Sequence, residues 1–78
     1  VKIRFSNHLA NVVIDRFGHD TMLIPEGDGI HFNFTVPVAL SPMFLSWVIG
    51  FGDKAQILYP QSAVDACKEL CRKALQQY

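Results

Sequence analysis

Cysteine is scarce in this 78-residue chain: only Cys67 and Cys71 occur, four apart in a helical pattern. Helix geometry fixes their separation, so they suit a disulfide poorly. Two thiols with no nearby histidine are also too few for a structural zinc site. They read as small hydrophobes in a reduced, cytoplasmic protein. Long apolar runs are missing as well. The longest candidate, Pro42 to Phe51, is interrupted by Ser46 and falls far short of the ~20 residues that span a bilayer. No charged segment followed by an apolar stretch marks a secretory signal. Charge of one sign is absent too, since 7 basic and 7 acidic side chains cancel. That balance removes any global pull toward nucleic acid or an anionic membrane.

Catalytic patterns are equally thin. His8, His19 and His31 have no metal-ligand spacing, and no Ser-His-Asp or Cys-His set is suggested by spacing. Gly50-Phe51-Gly52-Asp53 lacks the Lys-Ser/Thr of a phosphate loop and reads as a helix stop. The carboxylates Asp15, Asp20, Glu26, Asp28 and Asp53 fall mostly at helix ends or turns, where they suit solvated caps. The expectation is a domain without catalytic residues, metal or cofactor, and not an enzyme.

What the chain does have is a core-forming composition, 50% hydrophobic, enough for one domain. So small a domain buries only roughly 60–65% of its unfolded surface, which favours leaning on a neighbour or a second copy. Val1, not Met, opens directly into a strand pattern, which reads as a piece cut from a longer chain.

Val1 to Ser6 alternates apolar and polar, the period of a half-buried strand. Helical spacing follows over about residues 8–17, with Ser6 and Asn7 as capping residues and Gly18 at the stop. Thr21 to Ile24 reads as a second strand, Asp28-Gly29 as a turn, and Ile30 to Val36 as the clearest strand. Ile30, Phe32, Phe34 and Val36 are expected in the core. Ser41-Pro42 starts a second helix over about 42–50, Ala55 to Tyr59 is a fourth strand, and Ser62 to Tyr78 a third helix. Asp65–Lys68 and Glu69–Lys73 are expected as attractive pairs on its polar face.

The order β-α-β-β-α-β-α predicts an α+β fold: a ferredoxin-like βαββαβ antiparallel sheet with helices on one face, plus a C-terminal helix. Right-handed crossovers put the first and third strands in the middle. An RNA-recognition reading fails because Phe5, Phe32 and Phe34 belong to the core side and cannot stack bases. An acylphosphatase-like reading fails because Ser6-Asn7-His8 supplies no arginine-bearing phosphate loop. The open face instead carries Lys2, Arg4, His31, Asn33 and Thr35. Lys2, Arg4, His31 and Asn33 are the candidate ligand-binding residues, suited to an anion. Trp47 lies off the buried stripe of the second helix and is the candidate anchor for an interface.

The ordered set Asp28-Gly29, the strand Ile30 to Val36, Trp47 to Gly52, Ala55 to Pro60 and a helix ending at Tyr78 resembles the C-terminal extension (WCX) of WYL-domain bacterial transcriptional regulators. Trp47, Phe51-Gly52, Pro60 and Tyr78 stand where that pattern has them, and Val12-Val13 and Arg16-Phe17 fit its early part. The resemblance covers nearly the whole chain. It implies that residues 1–78 form the C-terminal domain of a larger regulator with a winged helix-turn-helix and a central WYL domain. It implies a regulatory, dimerisation and effector-sensing role, a homodimer, contact with the WYL and helix-turn-helix domains of the same chain, and either a nucleic acid or a small anionic ligand as partner. The Trp-Tyr-Leu motif of the central domain and the DNA-reading helix are not in this chain, so no family binding residue transfers. The alternative from the fold pattern is a stand-alone ferredoxin-like domain that binds a small molecule.

Overall fold

Alternation along β1 (Lys2–Ser6) drives Ile3 and Phe5 fully out of water, and alternation along β3 (His31–Thr35) buries Phe32 and Phe34. The two strands pair antiparallel with Ile3 opposite Phe34 and Phe5 opposite Phe32. Four large apolar side chains thus share one side of the sheet, which is the seed of the core. The computed structural model describes the whole chain, Val1–Tyr78.

Three helices and two further strands complete an α+β domain: α1 (Ala10–Phe17), β2 (Ile24–Pro25), α2 (Pro42–Ile49), β4 (Ala55–Tyr59) and α3 (Gln61–Gln76). The sheet is antiparallel with order β2-β3-β1-β4, so β1 and β3 occupy the centre, where the crossover argument places them. A register shift between Lys2 and Ile3 leaves Leu58 as an extra residue on β4.

The apolar side is roofed by α1 and α2. Val13 of α1 is fully buried, and the Phe17 ring lies tilted 5.6 Å from that of Phe34. Phe44, Leu45 and Val48 of α2 are buried too. Local chemistry fixes the start of α2: the Ser41 hydroxyl accepts a hydrogen bond from the Phe44 N–H at 3.1 Å, and Pro42 fills the first turn. Gly18 stops α1 with φ of 106°, a backbone geometry that L side chains rarely adopt. α3 packs against β4 and α2 through buried Ala63 and half-buried Val64, Cys67 and Leu70. No helix is long and apolar enough to cross a membrane.

Several boundaries differ from the sequence pattern. Ile30 is not core: it is 62% exposed. Its N–H donates to the Asp28 carboxylate at 2.9 Å, which holds it in the turn, beyond the reach of the helices. The second strand is only Ile24–Pro25 rather than Thr21 to Ile24: the Thr21 N–H donates to the Gly18 carbonyl at 3.2 Å in the turn after α1, and the ladder to β3 pairs only Ile24 and Pro25. The first helix begins as a 3₁₀ turn, Asn7–Leu9, and neither Ser6 nor Leu9 makes a side-chain cap. Asn7 instead donates its amide to the Gly29 carbonyl at 3.0 Å. On α3, Glu69 pairs with Arg72 rather than Lys73, and Asp65 accepts from Gln61 rather than pairing with Lys68. From Cys71 onward α3 is exposed, Leu75 to 75%.

Candidate functional site

The pleat that buries Ile3, Phe5, Phe32 and Phe34 turns Lys2, Arg4, His31 and Asn33 to the other side. No helix covers that side. Antiparallel register sets Asn33, Arg4 and Gln56 abreast on β3, β1 and β4, with Ile24 beyond Asn33. Lys2 stands one row along, between Thr35 and Tyr59.

Two carboxylates join these residues. The Glu26 N–H donates to the His31 carbonyl at 2.9 Å, which carries the β2–β3 pairing one residue further and keeps Glu26 on the open side. Glu26 Oε1 then lies 3.3 Å from Arg4 Nη1, and its Oε2 accepts from Asn33 Nδ2 at 3.1 Å. Arg4 Nη2 donates to Gln56 Oε1 at 2.5 Å. One side-chain network therefore crosses the sheet from Glu26 to Gln56. At the turn, Asp28 Oδ2 lies 2.5 Å from His31 Nδ1, while its Oδ1 accepts from the N–H groups of Ile30 and His31 at 2.9 and 3.1 Å. The bond with His31, supported by the Ile30 N–H, holds the Asp28 carboxyl down at about 2.

Glu26 and Asp28 are the members of this open-face network that sequence reasoning missed, having been placed among solvated turn carboxylates. The signal that finds them is counting back across the hairpin: pairing Glu26 with His31 puts it on the same side as Asn33. Their effect is electrostatic. Glu26 offsets Arg4 and Asp28 sits against His31, so Lys2 is the one cation of the candidate set with no acidic partner. Beside this network a small recess of about 70 Å³ is walled by Arg4, His31, Lys54 and Gln56. It has room for one or two waters or a small polar group. Glu26, Asp28 and His31 also bring one ligand atom each within 4.8 Å of one another. Arg4, Asn33 and His31 already occupy those oxygens, and the group fits a self-satisfied hydrogen-bond network better than a cation cage.

Trp47 is not part of this constellation. It lies on the helix-covered side, half-buried, with its ring 5.6 Å from Phe5, 5.2 Å from Phe51 and 6.0 Å from Phe44. The Arg16 guanidinium closes over it at 4.5 Å.

A second concavity lies at the β4 end of the apolar side. It is an open groove of about 640 Å³ between the end of α2, β4 and α3. Val48, Ala55 and Ile57 form its floor, and Val64, Cys67 and Leu75 form the wall on α3.

No curated protein and no solved structure matches the chain. One family model does, that of the WCX domain, over residues 1–75. Because the match takes in every strand and nearly all of the last helix, this chain belongs to the WCX domain family.

Proposed function

We propose that this domain is the C-terminal regulatory and dimerisation module of a WYL-type helix-turn-helix transcriptional regulator, and that its open sheet face senses an anionic effector. The observation that carries the reading is membership of the WCX family over residues 1–75. In this reading the domain works in the cytoplasm, performs no catalysis and acts on the helix-turn-helix and WYL domains of the same chain. The fold is a variant of the ferredoxin-like arrangement whose second strand has shrunk to two residues; the central β1 and β3 support that description.

The open face suits recognition because it combines a cation, Lys2, with a pre-ordered fork of donors. An anion of small size can meet Lys2 and compete with Glu26 for Arg4. The same face suits a twofold contact, since Tyr59 and Ile24 are exposed apolar side chains on either side of the polar network.

Sedimentation of the chain over a range of concentrations tests the dimer, with Lys2→Glu and Tyr59→Glu as surface variants that leave the Arg4 network intact. Concentration-dependent mass that both variants reduce places the contact on the open face. A monomer at every concentration removes the dimerisation half of the reading. Titration with inorganic phosphate, followed at the amides of Lys2, Arg4 and His31, tests the sensing half. No saturable shift at those amides removes it.

A further inference from the structure

We propose that the groove between α2, β4 and α3 binds a small amphiphile with an apolar chain and a carboxylate head, of the medium-chain fatty-acid type. The proposal goes beyond the sensing role assigned to the open face, because it concerns a different site on the other side of the sheet.

The groove has the size and character of a small-molecule site. Its volume of about 640 Å³ lies in the usual range for ligand pockets. Val48, Ile49, Ala55, Ile57, Val64 and Leu75 present hydrocarbon to it. Along α3 the wall from Val64 to Leu75 is about 16 Å long, at about 1.5 Å per residue, which suits a medium-length extended chain. Cys67 and Cys71 also face the groove, and burial pushes the Cys67 thiol up, so it stays neutral and adds no charge to the wall.

Charge sets the head group. The polar members of the lining are Lys68, Arg72, Gln56 and the two thiols, and no Asp or Glu is among them. Lys68 has no carboxylate partner in the structure. Arg72 is paired with Glu69 on its own helix, yet a guanidinium carries five N–H donors and keeps some for a second acceptor. Lys68 and Arg72 are one turn apart on α3, so an anion between them meets both. Gln56 borders this groove from the β4 edge, while its side-chain oxygen accepts from Arg4 on the open side of the sheet.

The test is calorimetric titration of the chain with decanoate below its micelle-forming concentration, with 1-decanol as the neutral counterpart. Alkylation of exposed Cys71 by iodoacetamide gives a second, site-specific readout. Lys68→Glu and Leu75→Asp alter exposed positions, and circular dichroism checks that both variants fold. The expected result is saturable decanoate binding that slows Cys71 alkylation, weakened about tenfold or more by Lys68→Glu. Leu75→Asp weakens decanol as well as decanoate, while Lys68→Glu leaves decanol unchanged. Three outcomes overturn the proposal: no protection of Cys71 by decanoate, equal binding of acid and alcohol with no response to Lys68→Glu, or protection of Cys71 that rises with protein concentration alone. The last assigns the groove to a second copy of the chain. None of these readouts involves Lys2 or Tyr59, so failure here leaves the open-face reading standing.

Discussion

Glu26, just past the end of β2, reaches over β3 to Arg4 on β1: the two are 22 residues apart in sequence and β1 does not pair with β2, yet their charged groups lie 3.3 Å apart. Asn33, on the strand between them, donates to the other oxygen of the same carboxylate. This arrangement ties the short edge strand to the centre of the sheet by side chains where its backbone pairing is only two residues long.

Removing either member therefore weakens the sheet edge. Glu26→Gln and Arg4→Met are each expected to lower stability by about 1 kcal/mol in urea unfolding, the modest size reflecting partial exposure of the pair. The double variant should lose less than the sum of the two. Strict additivity would show that the pair is not coupled.

Asp28 makes stability depend on acid. Its folded carboxyl sits at about 2 against an ordinary 3.8, chiefly through His31 and the Ile30 N–H. A depressed carboxyl contributes stability that is fully present above its ordinary value and is lost as pH falls through the folded value. Unfolding midpoints of the wild type should therefore drop between about pH 4 and pH 2 more steeply than those of Asp28→Asn. Glu69, lowered by Arg72, adds to the slope in both proteins and does not affect the comparison. Parallel curves would remove Asp28 from the account.

Burial separates Phe34 from Ile30, although both sit at even positions of one alternating run. Phe34 is 0% exposed and packs, rings tilted, against Phe5 and Phe17. Phe34→Ala should cost roughly 3–5 kcal/mol, enough to unfold so small a domain at room temperature. Ile30→Ser should cost less than about 0.5 kcal/mol. Comparable thermal shifts in the two variants would contradict the exposure of Ile30.

Gly18 is required by its backbone. With φ of 106° and the Asp20 carboxylate 3.0 Å from where a Cβ would stand, Gly18→Ala is strained and crowded. A loss of about 1–2 kcal/mol is expected. Gly27→Ala, with nothing within 4 Å and no positive φ, serves as the control and should be near neutral. Equal behaviour of the two would mean that α1 ends in some other way.

Most of the fold was legible because its signals are local. Period-two alternation in β1 and β3 and the Ser41-Pro42 start of α2 each depend on neighbours in sequence, and Ala55–Tyr59 matches its expected limits. Ile30 was misplaced because alternation reports which side a residue faces and not whether a helix lies over it. The open face was half legible: Lys2, Arg4, His31 and Asn33 follow from the pleat alone. Glu26 and Asp28 did not, because their role depends on how far the hairpin pairing runs past Pro25, which turn chemistry decides. Gln56 required the β1–β4 register, a long-range pairing with no local trace. The groove was illegible, since it forms only where the end of α2, β4 and α3 come together in space.

The position of Trp47 has a practical side. It is the only tryptophan, and it is wedged between Phe5, Phe44 and Phe51 with the Arg16 guanidinium as a lid. Its emission is a built-in optical gauge of the seam where the helices dock on the sheet. Unfolding will be bright and easy to follow by that light, whereas a ligand settling on the far side of the sheet, beside Lys2 and Tyr59, has to be watched by another probe.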